Sequence, residues 1–315
     1  MKLLLPLTYV EAPLGPEWSR PLGLMPAGNG RVIDQMLFSA RKYLEGAAVF
    51  LGGPGAAVIA RAVEPAHEFI PLRSNLPAAL LACRDQWVGG PVVLALGDAV
   101  IDADLGGLAA EVADGVAFIH HAEPGETGPG LAVSSGRIRE SDGLWRASGL
   151  WWFRNGALLA AALADWAEEG GADGLTRVLL QQGATVAARV SDLRVPLAGS
   201  GPEAERLLTL NHRLLGFGRS SEDAIERSYG EDFTVLTPVS LAETATIDRA
   251  VIGPYATIGA GAVVRGSVVS NTIIGPGATV EDAILEGAII GDGAVVRGRR
   301  WASRAADTAV LSLEA

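Results

Sequence analysis

Three aspartates that follow an apolar segment are the side chains best placed to do chemistry. Asp98 comes directly after Gly97 at the end of residues 91–96, and Asp102 and Asp104 follow closely. Ligands of open α/β sheets bind at the carboxyl ends of strands, and a carboxylate there suits a hard cation such as Mg²⁺. The alternative is that these carboxylates cap turns and the start of a helix, and the spacing alone favours that role.

Other positions carry weaker signals. The run Gly52-Gly53-Pro54-Gly55 lies between a predicted strand and a predicted helix, but it matches neither common phosphate-binding pattern, so a tight turn is favoured. His120 and His121 end a predicted strand with no third metal ligand nearby in the sequence, which disfavours a metal site. Cys83, the one cysteine, lies in an apolar helical pattern and is expected in the core.

The elements that must position these residues alternate along the first two thirds of the chain. Strands are predicted at residues 3–7, 47–51, 68–72, 91–96, 116–121, 137–140, 149–153 and 185–190. Helices are predicted at 31–44, capped by Asn29, and at 76–87, 156–168, 174–182 and 202–215. This alternation predicts an α/β domain with a doubly wound, mostly parallel sheet over residues 1–218. A connector at 219–238 would follow.

The tail, residues 239–315, repeats itself. Residues 257–272, 273–288 and 289–304 each contain Ile-Gly-x-Gly-Ala-x-Val, so the motif recurs at a fixed spacing. One coil cannot bury its own interior, so the repeat predicts a stack of β-helical coils. The expected interior is Ile252, Ile258, Val264, Ile274, Val280, Ile290 and Val296. The expected outer surface, which would support self-association, includes Val268, Val269, Ile284, Leu285 and Ala288.

Composition narrows the classes of function. The 315 residues carry a net charge of -11, so binding of nucleic acid through a basic surface is disfavoured. The apolar start of the chain is cut by Pro6 and is too short for a signal peptide or a membrane span. A cytoplasmic protein without a membrane partner is therefore expected.

Several segments occur in an order that resembles the sugar-1-phosphate nucleotidylyltransferases, or NDP-sugar pyrophosphorylases. Residues 94–105, LALGDAVIDADL, resemble the strand whose Gly-Asp holds Mg²⁺ in that family. Residues 19–26, SRPLGLMP, resemble its Pro-Lys-Pro-Leu-Leu-Pro segment, and residues 148–153, SGLWWF, resemble its strand beside the sugar. Residues 199–211 resemble its Gly-Thr-Pro-Glu-Asp…Asn segment. Several members also carry a left-handed β-helix of hexapeptide repeats.

The resemblance implies specific roles. It implies a nucleotidyltransferase-like, Rossmann-like domain followed by a left-handed parallel β-helix. Asp98 would bind Mg²⁺, the one cofactor it implies, while Ser148 and Gly149 would lie beside the sugar. Arg20 would stand in place of the catalytic lysine. The implied partners are a nucleotide or sugar phosphate and an active homologue. A homo-oligomer is expected separately, from the apolar outer surface of the tail.

The chain also departs from this family at the positions that handle phosphate and metal. The family's first loop contains Gly-x-Gly-Thr-Arg, whose amides and arginine hold phosphates. Residues 7–18 here contain one glycine, two prolines, two glutamates and no basic residue. Prolines offer no N–H, and glutamates repel phosphate. Leu197 stands where the second metal aspartate is expected, and Arg20 keeps the charge of lysine without its geometry.

Three functions follow as hypotheses. The first is a non-catalytic or strongly altered homologue, a pseudoenzyme with a regulatory or assembly role. The second is an active nucleotidylyltransferase that makes an NDP-sugar from a nucleoside triphosphate and a hexose 1-phosphate. The third is an acyltransferase that acts through the coils, where such enzymes use a histidine as general base. The histidines are His67, His120, His121 and His212, and none lies in the repeats, which counts against the third.

Overall fold

The computed structural model describes most of the chain and divides it into two compact units. Described are residues 1–44, 48–63, 67–123, 126, 130–139, 142–167, 170–198, 202–228, 232–298, 304–305 and 310–312. The first unit contains Met1–Glu11 and Met36–Ala198, and the second contains Ala12–Gln35 and Gly199–Ala315. The domain boundaries predicted from the sequence stay a prediction. No helix in the described ranges has the length and apolar character needed to cross a membrane.

The helices and strands are numbered in chain order. The helices are α1 Val32–Arg41, α2 Pro54–Ala62, α3 Leu76–Ala82, α4 Gly156–Asp165, α5 Gly171–Gln181, α6 Glu203–Gly216 and α7 Ala224–Ser228. The strands before the coils are β1 Lys2–Pro6, β2 Pro26–Ala27, β3 Gly30–Arg31, β4 Val49–Gly52, β5 Glu68–Pro71, β6 Val92–Ala95, β7 Ala99–Asp102, β8 Gly115–His121, β9 Ala132–Ser134, β10 Arg137–Arg139, β11 Trp145–Phe153, β12 Val186–Val190 and β13 Leu193–Pro196.

The strands of the coils follow. They are β14 Phe233–Val235, β15 Val239–Leu241, β16 Thr246–Asp248, β17 Ala250–Ile252, β18 Ala256–Ile258, β19 Val263–Arg265, β20 Val268–Ser270, β21 Ile273–Ile274, β22 Thr279–Glu281, β23 Ile284–Glu286, β24 Ile289–Ile290, β25 Val295–Arg297, β26 Arg304–Ala305 and β27 Val310–Ser312.

The first unit is built on a nine-stranded mixed sheet in the order β5-β4-β1-β6-β11-β8-β12-β10-β9. Strands β5, β4, β1 and β6 run parallel, as do β12 and β8, whereas β11 is antiparallel to both β6 and β8. The central strands are buried on both faces, which explains their continuous apolar sequences. The predicted α/β class is therefore confirmed, with a more mixed sheet than expected.

Three short strands of the first unit, β7, β9 and β13, were not predicted from the sequence. Strands β7 and β13 pair antiparallel, with Leu193 opposite Asp102 and Pro196 opposite Ala99. The aspartates near β7 suggest turns, and β13 contains a polar residue and a proline, so neither has a clear strand pattern. Strand β11 also begins at Trp145, earlier than predicted. The predicted helix 76–87 ends at Ala82, and a 3-10 turn follows.

The second unit contains three parallel sheets of short stacked strands, consistent with a β-helix. Strand pairing sets Val263 opposite Thr279 and Thr279 opposite Val295, which reproduces the spacing of the sequence motif. The predicted repeat is thus confirmed for the later coils, whereas the first coils are slightly longer. All the aliphatic side chains expected inside are buried in one core. Glycines recur at one corner, where Gly261, Gly277 and Gly293 have φ of 67°, 68° and 64°.

Parts of the tail prediction were wrong. Strand β14, which lies in the predicted connector, pairs with β17 of the coils. Val269, Leu285 and Ala288 are fully buried inside the coils, not on the outer surface. The middle residue of β20 and of β23 points inward, so the apolar pairs Val-Val and Ile-Leu each supply one inner and one outer residue. The end of the third repeat, residues 299–303, lies outside the described residues.

One buried amide joins three segments of the second unit. Asn211 of α6 is fully buried, and its Oδ1 accepts hydrogen bonds from Gly28 N at 2.8 Å and Thr257 Oγ1 at 2.7 Å. Its Nδ2 donates to the carbonyl of Tyr255 at 3.2 Å. The amide thereby connects the β2–β3 turn, α6 and the coils. Buried polar groups stabilise a fold only when they are paired, as these are.

We expect Asn211→Leu to destabilise the second unit by about 3 kcal/mol, because it leaves the Gly28 amide and the Tyr255 carbonyl buried without their partner. Urea denaturation followed by circular dichroism measures this. The control is Thr209→Leu, an exposed position on the same helix, which should change stability by no more than about 0.5 kcal/mol. Equal midpoints for the two variants would contradict the role assigned to Asn211.

Candidate functional site

The predicted metal ligand lies in a tight turn between β6 and β7. Gly97 has a φ of 76°, and a Cβ atom there would overlap the carbonyl oxygen of Pro6. Only glycine fits both constraints. The carbonyl of Asp98 accepts hydrogen bonds from Leu197 N at 2.7 Å and Ala198 N at 3.1 Å. Residues 197 and 198 therefore lie directly beside Asp98.

The Asp98 side chain meets the residues that the resemblance placed beside the sugar. Its Oδ1 is buried, and no hydrogen-bond partner for it is found in the described ranges. A Cβ atom on Gly149 would lie 3.0 Å from that oxygen, and Gly149 has a φ of 92°. The structure thus brings Asp98, Gly149 and Ser148 together. Ser148 is fully buried, and its Oγ contacts other buried side chains. The sugar-binding role of Ser148 and Gly149 stays a prediction.

The charge of Asp98 is poorly accommodated. Burial raises the pKa of Asp98 above its ordinary value, and the neighbouring positive charge of Arg194 offsets only part of this shift. His120 and Glu126 act on the same carboxylate with smaller, opposing effects. A carboxylate held where its charged form is disfavoured costs stability at neutral pH.

A polar network fills the space beside Asp98. Nδ1 of His120 lies 3.2 Å from Ser148 Oγ, and Nε2 of the same ring lies 3.2 Å from Glu126 Oε2. Ser148 Oγ lies 2.9 Å from Ser191 Oγ. Arg194 contacts Glu126 Oε1 at 3.4 Å and donates from Nε to the carbonyl of Ser148 at 3.3 Å. Ser148, His120 and Glu126 are hydrogen-bonded in the sequence serine–histidine–carboxylate, as in a hydrolytic triad. Ser148 is buried, however, and its hydroxyl also contacts Ser191, so it is not presented to a substrate.

The network sets the protonation of its members. Burial lowers the pKa of His120, and the positive charge of Arg194 lowers it further, so the ring is neutral at pH 7. Burial acts to raise the pKa of Glu126, but the Glu123 amide, His120 and Arg194 together outweigh it and lower that pKa. Glu126 is therefore the ionised carboxylate that balances Arg194.

The cavity at Asp98 is small. It holds about 80 Å³ and is closed by side chains from the start of the chain, α3 and the segment before α5. It is lined by Pro6, Thr8, Tyr9, Leu76, Leu96, Asp98, Trp166 and Gly171. Pockets for small ligands hold roughly 300 to 1,000 Å³. A nucleotide or a sugar phosphate does not fit this volume.

A carboxylate of the protein occupies the glycine-rich turn before α2. Glu11 Oε2 accepts hydrogen bonds from Gly53 N at 2.6 Å and Ala56 N at 3.4 Å. A Cβ atom on Gly55 would overlap the carbonyl oxygen of Glu11, so the two segments touch through their backbones. Amides at a helix N-terminus attract anions, and here the anion is the protein's own glutamate. The tight-turn interpretation of Gly52–Gly55 agrees with this geometry.

The residues at Asp98 do not fit a magnesium site held by two carboxylates. The unpartnered Oδ1 of Asp98 could serve one cation ligand. The neighbouring position, however, is Leu197, which is buried and offers no oxygen from its side chain, and Arg194 contributes a competing positive charge. Within the described ranges, no three His, Cys, Asp or Glu side chains gather in a way that could hold a metal ion.

Arg20, the residue in place of the catalytic lysine, belongs to the second unit. It forms an ion pair with Asp292, and its Nη1 lies 3.5 Å from the carbonyl oxygen of Leu24. Arg20 also lines a cavity of about 550 Å³ formed within that unit by the β2–β3 turn and the coils. Whether Arg20 takes part in catalysis stays a prediction.

The remaining candidates have structural partners. Asp102 Oδ1 accepts from Ser39 Oγ at 2.8 Å, and Asp104 Oδ1 accepts from Gly106 N at 2.7 Å. Asp104 thus caps a local turn, as the alternative interpretation expected, whereas Asp102 pairs with a serine of α1 that is distant in the sequence. His121 stacks on Trp145 with ring centroids 3.9 Å apart. Cys83 is buried in the core. The start of the family-like segment at 199–211, residues 199–201, lies outside the described residues.

The roles of three charged residues at this site could not be predicted from local sequence patterns. Arg194 lies on β13, a strand without a recognisable pattern, and Glu126 lies in a connection rather than a motif. Glu11 was noted only as a charge that repels phosphate, whereas its contact with Gly53 spans 42 positions. Local patterns do not reveal such long-range partners. The one available signal was His120, which ends a buried strand and so needs polar partners.

Comparisons with known proteins leave the chain without an assigned family. A scan against models of protein families finds no match, and a search of curated proteins finds no relative.

We expect Asp98→Asn to raise the melting temperature by about 3 °C at pH 7, because it removes a charge that burial disfavours. A raised pKa means that the native carboxylate binds its proton more tightly than the unfolded one. The gain should therefore shrink as the pH falls through the native pKa toward the ordinary aspartate value. Thermal scans from about pH 4 to about pH 8 measure it. Asp85→Asn, at an exposed position, is the control. A lower melting temperature for Asp98→Asn at pH 7 would refute this account of the site.

We expect Glu11→Ala to cost about 1 kcal/mol, because the N-terminal amides of α2 lose their acceptor. Urea denaturation gives the value. Glu17→Ala removes the other, exposed glutamate of the same loop and should be neutral. If both variants unfold at the same urea concentration, the Glu11–Gly53 contact does not stabilise the turn.

Proposed function

We propose that the chain is a non-catalytic homologue of the sugar-1-phosphate nucleotidylyltransferases, whose tail is a left-handed β-helix and whose role is regulation or assembly. The observation that carries the proposal is the neighbour of Asp98. Leu197 donates its backbone amide to the Asp98 carbonyl, so the position to which the resemblance assigns a second metal-binding aspartate lies beside Asp98 and holds a leucine. Nucleotidyl transfer depends on neutralising phosphate charge, and one carboxylate opposite an arginine does not hold the cation for this.

The loop at the start of the chain supports the same conclusion. Glu11 binds the amides that a phosphate would otherwise approach, and the loop supplies no basic side chain. The cavity at Asp98 is several times smaller than a nucleotide requires. A regulatory or assembly role needs a stable fold and a surface that binds a partner, but it does not need a catalytic site. The fold retains both units, each with its own core.

The alternative, an active enzyme that makes an NDP-sugar, has one observation in its favour. Asp98 Oδ1 is buried without a hydrogen-bond partner in the described ranges, and such atoms are common where a ligand or an ion completes the site. For this alternative to hold, residues 8–9 would have to move away from Asp98 and open the cavity.

The test is an assay for formation of nucleotide sugar from each nucleoside triphosphate and hexose 1-phosphates with Mg²⁺ or Mn²⁺. We expect no product above the level of an Asp98→Asn preparation made in parallel, which controls for a contaminating enzyme. A turnover of about 1 per second or more that disappears in Asp98→Asn would overturn the proposal and establish the active alternative.

A further inference from the structure

The three faces of the coils differ in what covers them. The outward residues of the β15–β18–β21–β24 sheet are buried, and α6 and β2 of the same unit contact these strands. The β16–β19–β22–β25 sheet is charged on its outside, where Arg265 and Arg297 both pair with Glu281, at 3.7 and 2.8 Å. The outside of the β14–β17–β20–β23 sheet is different, because three successive residues of one outward row, which begins at the exposed Thr234, are apolar.

This apolar ladder consists of Val251, Val268 and Ile284. Strand pairing sets Val251 beside Val268 and Val268 beside Ile284, so the three side chains stack in one line. Val268 is 42% exposed and Ile284 is 48% exposed. Their neighbours Val269 and Leu285 already fill the interior, so the ladder contributes nothing to the core of the coils. Contiguous exposed apolar residues on a flat sheet mark an interaction surface.

Charges at one corner of this face are arranged for a second copy of the same chain. Arg249, Gly266 and Asp282 occupy equivalent corner positions in successive coils, each with positive φ. The corner thus carries a positive charge one coil before the centre of the ladder and a negative charge one coil after it. Both charged residues are exposed, and Arg249 pairs with its chain neighbour Asp248 at 3.4 Å. Such a surface pair contributes little and is readily exchanged.

We infer that this face joins two copies of the chain around a two-fold axis that runs parallel to β20. Such an axis keeps the strand direction and reverses the order of the coils. It places Val268 against Val268 of the second copy and Val251 against its Ile284. It also places Arg249 against Asp282 of the second copy, twice by symmetry. An isologous contact of this kind needs one self-complementary surface, and opposite charges at matched positions provide it.

The central variant is Val268→Lys, which puts two ammonium groups face to face on the axis. The matched control is Val263→Lys, an outward valine of the same coil on the neighbouring sheet. Sedimentation velocity from about 1 to about 200 µM protein detects dimers with micromolar dissociation constants, which small interfaces commonly have. We expect the wild type and Val263→Lys to be dimers and Val268→Lys to be a monomer with unchanged circular dichroism.

The corner charges give a second, independent test. Arg249→Asp should weaken the dimer at least tenfold, because two acidic residues then face each other at both symmetry-related contacts. The exchange variant Arg249→Asp with Asp282→Arg should restore the wild-type dissociation constant. A wild type that stays monomeric throughout the range would overturn the inference. A dimer that Val268→Lys leaves intact, or that the exchange variant does not restore, would also overturn it.

Discussion

The buried charge of Asp98 is the constraint that organises the end of the central sheet. Its backbone is held by a glycine turn and by two amides from residues 197 and 198, and its side chain is buried. The protein balances it with Arg194, and Arg194 in turn requires the ionised Glu126 and the neutral His120. His120, Glu126, Ser148 and Arg194 pair with one another, whereas Asp98 Oδ1 is left without a hydrogen-bond partner in the described ranges.

On the proposed function, this arrangement accounts for a site that resembles a metal-dependent catalytic centre but has one carboxylate. A metal site would place a second carboxylate near Asp98, and the positive charge would come from the bound cation. In this chain a positive charge near Asp98 is supplied by Arg194, and leucine stands at position 197, to which the family resemblance assigns the second carboxylate. The same substitution of an internal group for a ligand occurs at α2, where Glu11 takes the position of an anion.

The sequence predicted the repeated and strongly apolar parts of the fold well. The period of the tail indicated its stacked coils and its interior, because identical side chains must recur where identical coils stack. It misassigned Val269, Leu285 and Ala288, since a run of two apolar residues does not reveal which one faces inward. The buried strands of the first unit were found for a similar reason, whereas β7 and β13 were missed because pairing, not pattern, makes them strands. Asp98 and Gly149 were identified through their motifs, but Arg194, Glu126 and Glu11 act across long distances in the chain, which no local pattern encodes.

The most direct test of the central claim is whether the native protein binds a nucleotide. A ligand that binds only the folded state must raise the melting temperature by mass action. We predict that millimolar nucleoside triphosphate or nucleotide sugar with Mg²⁺ leaves the melting temperature of the full chain unchanged, because Glu11, Arg194 and Leu197 occupy or disable the positions that would hold it. A ligand-dependent rise that saturates with concentration and is lost in Asp98→Asn would contradict the account.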